Sequence, residues 1–216
     1  MLNKLKMLFI GNGGMRAELS RGAIGSLTVK LASTLLGLVL AIVLARNLGP
    51  EGYGIYAYVF ALVSLIAIPA QLGLPGLLVR ETAKAQVDAQ WGVMRGLWRW
   101  SSLAVGGISV LLAVAALLLA ELFTERFSST QLTTFFFGIA LIPLIALGNL
   151  RGAALRGLRR VVAGQLPESV LRPGILILLV LAAVLSISPA RLSPSYAMGL
   201  HAVAAAVSFI IGAILL

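Results

Sequence analysis

The sequence predicts an all-α, polytopic membrane protein of six transmembrane helices. Three observations carry that expectation. Of the 216 residues, 60% are apolar and only 11% are charged. An ordinary soluble domain carries about 25% charged residues, so a soluble fold of this composition would lack the polar groups to cover its surface. The apolar residues gather into six runs that reach or approach the roughly 20 residues a helix needs to cross a bilayer. Between those runs the basic residues are concentrated in short stretches, as topology signals are. None of the runs alternates polar with apolar positions, which excludes a transmembrane β-barrel.

The predicted spans are Ser26 to Ala45, Tyr53 to Val79, Ser101 to Ala120, Leu132 to Leu150, Ser169 to Ser188 and Ser195 to Leu216. One side of the membrane then receives Lys4, Lys6, Arg16 and Arg21, then Arg80, Lys84, Arg95 and Arg99, then Arg151, Arg156, Arg159 and Arg160. The other receives only Arg46, Arg126 and Arg191. Twelve cations against three place the N-terminus in the cytoplasm. The net charge of +10 is thereby a topology signal, and nucleic acid is not expected as a partner. The short run Met7 to Ile10 is too brief for a signal-peptide core. Leu216 ends an apolar helix with no polar tail after it, as in a chain cut short.

Within the first span, Ser26, Lys30, Ser33, Gly37 and Ala41 form one small or polar stripe, opposite Leu27, Leu31, Leu35, Leu38 and Ile42. Lys30 is expected either to face a polar interior or to snorkel to the headgroups. Gly49, Gly52 and Gly54 around Pro50 predict a sharp reversal into the second span. There Tyr53, Tyr56, Phe60, Ser64, Ala67 and Gln71 share a side, and Pro69, Gly73 and Pro75 predict a kink. From Lys84 to Arg99 the charges and the apolar Val87, Trp91, Met94 and Trp98 separate onto two faces. That pattern predicts a helix lying in the membrane interface as an aromatic anchor. In the fifth span Pro167 suits a first helical turn, and Glu168 with Arg172 makes an i,i+4 pair in the favourable order.

Catalysis lacks its parts. The acids are Glu18, Glu51, Glu81, Asp88, Glu121, Glu125 and Glu168, and only Glu168 touches a span. The single histidine, His201, has no metal-ligand companion and reads as packed or pore-lining, and there is no cysteine. Glu121 and Glu125 read as a solvated face beside Arg126. No enzyme activity, metal or cofactor is expected.

The segment ARNLGPEGYGIYAYVFALVSLIAIPAQLGLPGLLVRETAK, Ala45 to Lys84, resembles the first hairpin of bacterial polysaccharide-biosynthesis membrane proteins. These are the oligosaccharide-lipid flippases of the multidrug/oligosaccharidyl-lipid/polysaccharide exporter superfamily. A second stretch, LRGLRRVVAGQLPESVLRPGILILL from Leu155 to Leu179, is similar to that family's junction between fourth and fifth spans.

The resemblance implies a protein of the bacterial inner membrane with two lobes of helices around a cavity that opens alternately to either side. Residues 1–216 would be its N-terminal lobe, working with a C-terminal lobe or a second subunit. The implied substrate is an undecaprenyl-pyrophosphate-linked oligosaccharide, an O-antigen or exopolysaccharide unit. Its pyrophosphate would lie near Lys30 and Arg172, with Glu168 and Gln71 as further substrate-binding positions and membrane lipids around the tail. No aspartate lies in any span, so no ion-coupling site carries over. A drug/cation antiporter of the same superfamily would want intramembrane carboxylates, and an envelope glycosyltransferase would want a large outer loop with acids. A non-transporting assembly protein also fits the length.

Overall fold

The computed structural model describes the backbone of residues 2–122, 127–186 and 192–216, and within these the side chains from residue 24 onward, Leu122 excepted. Glu125, Arg126 and Arg191 lie outside the described residues, as do the side chains of the N-terminal cations and Glu18. The described residues hold helices and no strand: α1 (Leu2–Ala70), α2 (Leu74–Val87), α3 (Trp91–Leu122), α4 (Ser129–Ile139), α5 (Leu141–Gly157), α6 (Val161–Leu166), a π-turn (Pro167–Leu171), α7 (Arg172–Ser186) and α8 (Pro194–Ile214). Five stretches are long and apolar enough to cross a membrane: Ile24–Ala70, Trp91–Glu121, Ser129–Gly157, Val161–Ser186 and Pro194–Ile214.

Five stretches stand where six spans are predicted, because the first two are fused. A straight helix of the 47 residues from Ile24 to Ala70 would run about 70 Å, more than twice the ~30 Å of hydrocarbon. It is not straight. Gly49 has φ 71° and ψ 173°, a backbone state that residues with a Cβ avoid, and it breaks α1 into two arms. Ser33 and Leu44 of the first arm line the same cavity as Tyr53 and Phe60 of the second, so the arms double back on each other. Of the glycines in the predicted reversal only Gly49 has positive φ. Helix also extends upstream of the predicted start at Ser26, to Leu2.

Other boundaries move for reasons that can be named. The predicted kink after Pro69 is a full break, since α1 ends at Ala70 and the chain turns through Leu72 (φ 50°) and Gly73 (φ 69°) before Pro75 opens α2. The predicted interfacial helix is divided by a turn at Asp88–Gln90, where Ala89 has φ 52°. Its tryptophan-bearing part is the start of α3, tied back to α2 by the indole N–H of Trp98, which donates to Thr82 Oγ1 at 2.9 Å. The fourth span is interrupted at Ala140, and α4 starts on a capping box between Ser128 and Gln131.

The fifth begins at Val161 rather than Ser169, so Pro167 sits inside the run and not in a first turn. The proline, which has no N–H to donate, opens a π-turn, Pro167–Leu171, between α6 and α7. The Arg172 N–H closes that turn onto the Pro167 carbonyl.

The core joins Leu44, Val59, Val63, Leu141, Ile142, Leu176, Val180 and Met198. A second cluster around Leu78, Val105, Ala146 and Leu150 sits between α2, α3 and α5. The leucine face predicted for the first span is outside it, with Leu27, Leu31, Leu35 and Leu38 all exposed as a lipid-facing row.

Candidate functional site

Inside an apolar bundle a polar side chain is costly unless partnered, so buried polar groups mark where structure serves something besides packing. Buried His201 and the half-buried Glu168 and Arg172 meet at one cavity of about 310 Å³ between the two arms of α1, the π-turn with the start of α7, and α8. Its polar lining is Ser33, Tyr53, Tyr56, Glu168, Ser169, Arg172 and His201. Ser33, Gly37 and Ala41 bring the small stripe of the first arm to this wall.

Glu168 is the centre of a three-residue ion cluster. Arg172 Nη1 donates to Glu168 Oε2 at 3.0 Å, and Arg151 Nη2 lies 4.0 Å from Glu168 Oε1. The carboxylate reaches this seat because α5 carries Gly148 opposite it. A Cβ on Gly148 would come within 2.9 Å of the Glu168 carboxyl carbon and overlap Oε1 outright. Arg151, 8% exposed, donates from Nη1 to the Phe209 carbonyl and stacks its guanidinium 4.5 Å from the Phe209 ring centroid. Gly212 leaves the room for it on α8, since a Cβ there would meet the guanidinium carbon at 2.6 Å. The Nε of Arg151 is buried and has no partner. Two arginines facing one carboxylate leave the cluster one positive charge in excess.

In the same lining the Tyr56 hydroxyl and His201 Nδ1 share a hydrogen bond of 2.8 Å, and the Phe60 ring packs 4.8 Å from the imidazole. The π-turn is pinned from α8 by Ser208, whose hydroxyl donates to the Pro167 carbonyl at 2.5 Å. That bond satisfies the second lone pair of a carbonyl already accepting from Arg172. Gln165 and Ser26 bond at 3.1 Å and hold α6 to the first arm of α1.

Of the four residues predicted for substrate binding, Glu168 and Arg172 line the cavity together. Lys30 is exposed one turn before the lining residue Ser33 and does not itself line the cavity. Gln71 is half-buried in the turn after α1, donates to the Ala67 carbonyl and does not line it either. His201 is buried and lines the cavity.

Arg151, a loop cation by the charge count, is buried in α5, its charge held between Glu168 and α8. The signal that could have found it is its i,i+3 spacing from Gly148, a small residue facing the same neighbour. Among the described residues no group of three His, Cys, Asp or Glu side chains could hold a metal ion.

Fold and cavity define a multi-pass helical membrane protein with a polar, arginine-bearing chamber. The family model described as polysaccharide biosynthesis protein matches residues 19–216, and the chain belongs to that family. No curated protein and no solved structure matches the chain.

Proposed function

We propose that the chain is a six-span N-terminal lobe of a flippase carrying an undecaprenyl-pyrophosphate-linked oligosaccharide from the cytoplasmic to the outer leaflet. The observation that carries this is the chamber beside the ion cluster, where Arg172 stands with a net positive charge inside a membrane protein of a polysaccharide family. A pyrophosphate is the part of such a substrate that a guanidinium recognises best. The two arms of α1 count as two spans because each is long enough to cross alone once the chain reverses at Gly49. Alternating access needs two bundles rocking against each other, so a second lobe completes the chamber.

Reconstitution tests this. The 216-residue chain together with its second lobe should translocate a lipid-linked oligosaccharide in proteoliposomes, and the chain alone, as a monomer, should not. Translocation by the monomeric lobe would overturn the two-lobe mechanism.

Lys30 continues the stripe of Ser33 and Gly37 toward the chamber mouth, and its proposed part is to meet the anionic group there. Lys30→Gln keeps length and polarity and removes the charge. It should lower complementation of a flippase-deficient strain by about tenfold at normal expression, the order of one charge-assisted contact. Lys30→Arg should complement. Full activity of the glutamine variant would leave Lys30 as a snorkelling anchor.

Sidedness follows from the charge count, with the Asp88–Gln90 turn in the cytoplasm of a bacterial inner membrane. The chain has no cysteine, so the exposed Gln90 can carry a single Cys. In intact cells Gln90→Cys should resist a membrane-impermeant maleimide and react only after permeabilisation. Labelling from outside would invert the topology.

A further inference from the structure

A second cleft lies apart from the Glu168 chamber, between α3, α5 and α8. It has a volume of about 370 Å³, walls of Leu103, Leu147 and Phe209, and polar groups from Arg99, Ser102 and Arg151. An adjoining groove of about 480 Å³ shares Trp98 and Leu216 with it and adds Trp91, Arg95 and Arg160. The combination is specific in chemistry. One part is apolar enough to hold hydrocarbon, and the first turns of α3 supply cations and indoles of the kind that sit at headgroup depth.

Neither hollow is lined by a carboxylate. Among the described residues no acid stands within ion-pairing distance of Arg95, Arg99 or Arg160, whereas the nearby Arg80 and Lys84 share Glu81. Arg151, at the cleft wall, has its Nε without a partner and its nearest carboxylate oxygen only at 4.0 Å, so the positive potential extends into the cleft.

We propose that this cleft binds one anionic phospholipid. An acyl chain lies along Leu103, Leu147 and Phe209, and the phosphate meets the Arg99 guanidinium and the Ser102 hydroxyl. Arg95 and Arg160 beside Trp98 add attraction without direct contact. A zwitterionic choline lipid brings its own cation to the same arginines and is disfavoured. Occupation of the cleft would brace α3 against α8 at the end of the bundle where Arg151 also reaches toward Glu168.

The three tryptophans make the test direct. In a Trp91→Phe, Trp100→Phe background, Trp98 alone reports on both hollows. The full 216-residue chain is placed in phosphatidylcholine vesicles with equal mole fractions of brominated phosphatidylglycerol or brominated phosphatidylcholine. Phosphatidylglycerol should quench Trp98 more strongly. Arg99→Gln, an exposed position, should lower that preference by about fivefold, the effect of one interfacial cation. Arg99→Lys should keep it, and so should Arg80→Gln, which removes a cation already paired with Glu81.

Equal quenching by the two lipids, or an unchanged preference in Arg99→Gln, would overturn the proposal. So would relief of quenching by undecaprenyl pyrophosphate but not by unlabelled phosphatidylglycerol, which would make the cleft a place for substrate. None of these outcomes depends on whether the protein flips an oligosaccharide.

Discussion

Glu168→Leu should destabilise the lobe by about 3 kcal/mol, because it leaves the buried Arg151 and the half-buried Arg172 without their shared counter-charge. Arg172 loses its 3.0 Å partner and Arg151 its 4.0 Å one, and Arg151 stays buried in α5. The measurement is the midpoint of unfolding in a denaturing-detergent titration followed by circular dichroism. A control separates the electrostatic cause from simple loss of a side chain. Replacing the whole cluster, as Arg151→Met, Glu168→Leu and Arg172→Met together, removes the uncompensated charges and should recover much of the lost stability. Apolar replacements of whole buried ion clusters are often neutral or better.

Transport by the triple variant, assembled with its second lobe, should nevertheless be absent, since Arg172 is gone from the chamber. A triple variant as unstable as Glu168→Leu would show that the cluster holds the fold through shape and hydrogen bonds rather than charge balance.

That cluster was partly legible beforehand. The Glu168–Arg172 pair is a local i,i+4 relation and appears in the sequence as such. Arg151 is a long-range member, 17 positions before Glu168, and a cation between apolar runs reads as a topology signal until packing shows what lies beside it. The helical membrane class and the lipid-facing leucine row were likewise legible, because composition and periodicity depend only on the solvent each residue meets, while the family was legible through the resemblance of Ala45 to Lys84 and Leu155 to Leu179.

Boundaries were not. Pro69, Pro75 and Pro167 each announce a disturbance, but the outcome differs: a break and turn after Pro69, a helix start at Pro75, a π-turn at Pro167. The choice rests on tertiary contacts that local sequence does not carry. At Pro167 the π-turn is held in addition by Ser208, 41 residues away, whose hydroxyl donates to the Pro167 carbonyl. Gln71 shows the same gap, since its place on the helical stripe presumed a helix that ends one residue earlier.

Gly152→Val should be the most damaging single substitution at a helix contact. In a bilayer there is little hydrophobic force between helices, so close packing through small residues carries much of their association. Gly152 of α5 and Gly164 of α6 meet backbone to backbone: a Cβ on Gly152 would lie 2.5 Å from the Gly164 carbonyl oxygen, and one on Gly164 would lie 2.6 Å from the Gly152 oxygen. Both obstacles are main chain and cannot rotate away.

A valine at 152 must therefore push α6 outward, and Glu168 follows, because it lies in the π-turn that continues α6 directly. Its carboxylate then leaves the notch at Gly148, and the ion cluster opens together with the helix contact. The expected cost exceeds the ~1–3 kcal/mol of ordinary overpacking. Transport by the assembled protein should be lost along with it. Gly152→Ala should fall between valine and wild type.

The contrast is Gly107→Ala in α3, where an added Cβ meets nothing within 4 Å. It should be neutral or stabilising by about 0.5–1 kcal/mol, through the helix preference of alanine over glycine. Unfolding midpoints for the three variants, measured side by side, decide the matter. A Gly152→Val protein as stable as Gly107→Ala would mean that α6 is free to move away from α5 and that Glu168 is not held in place by that contact.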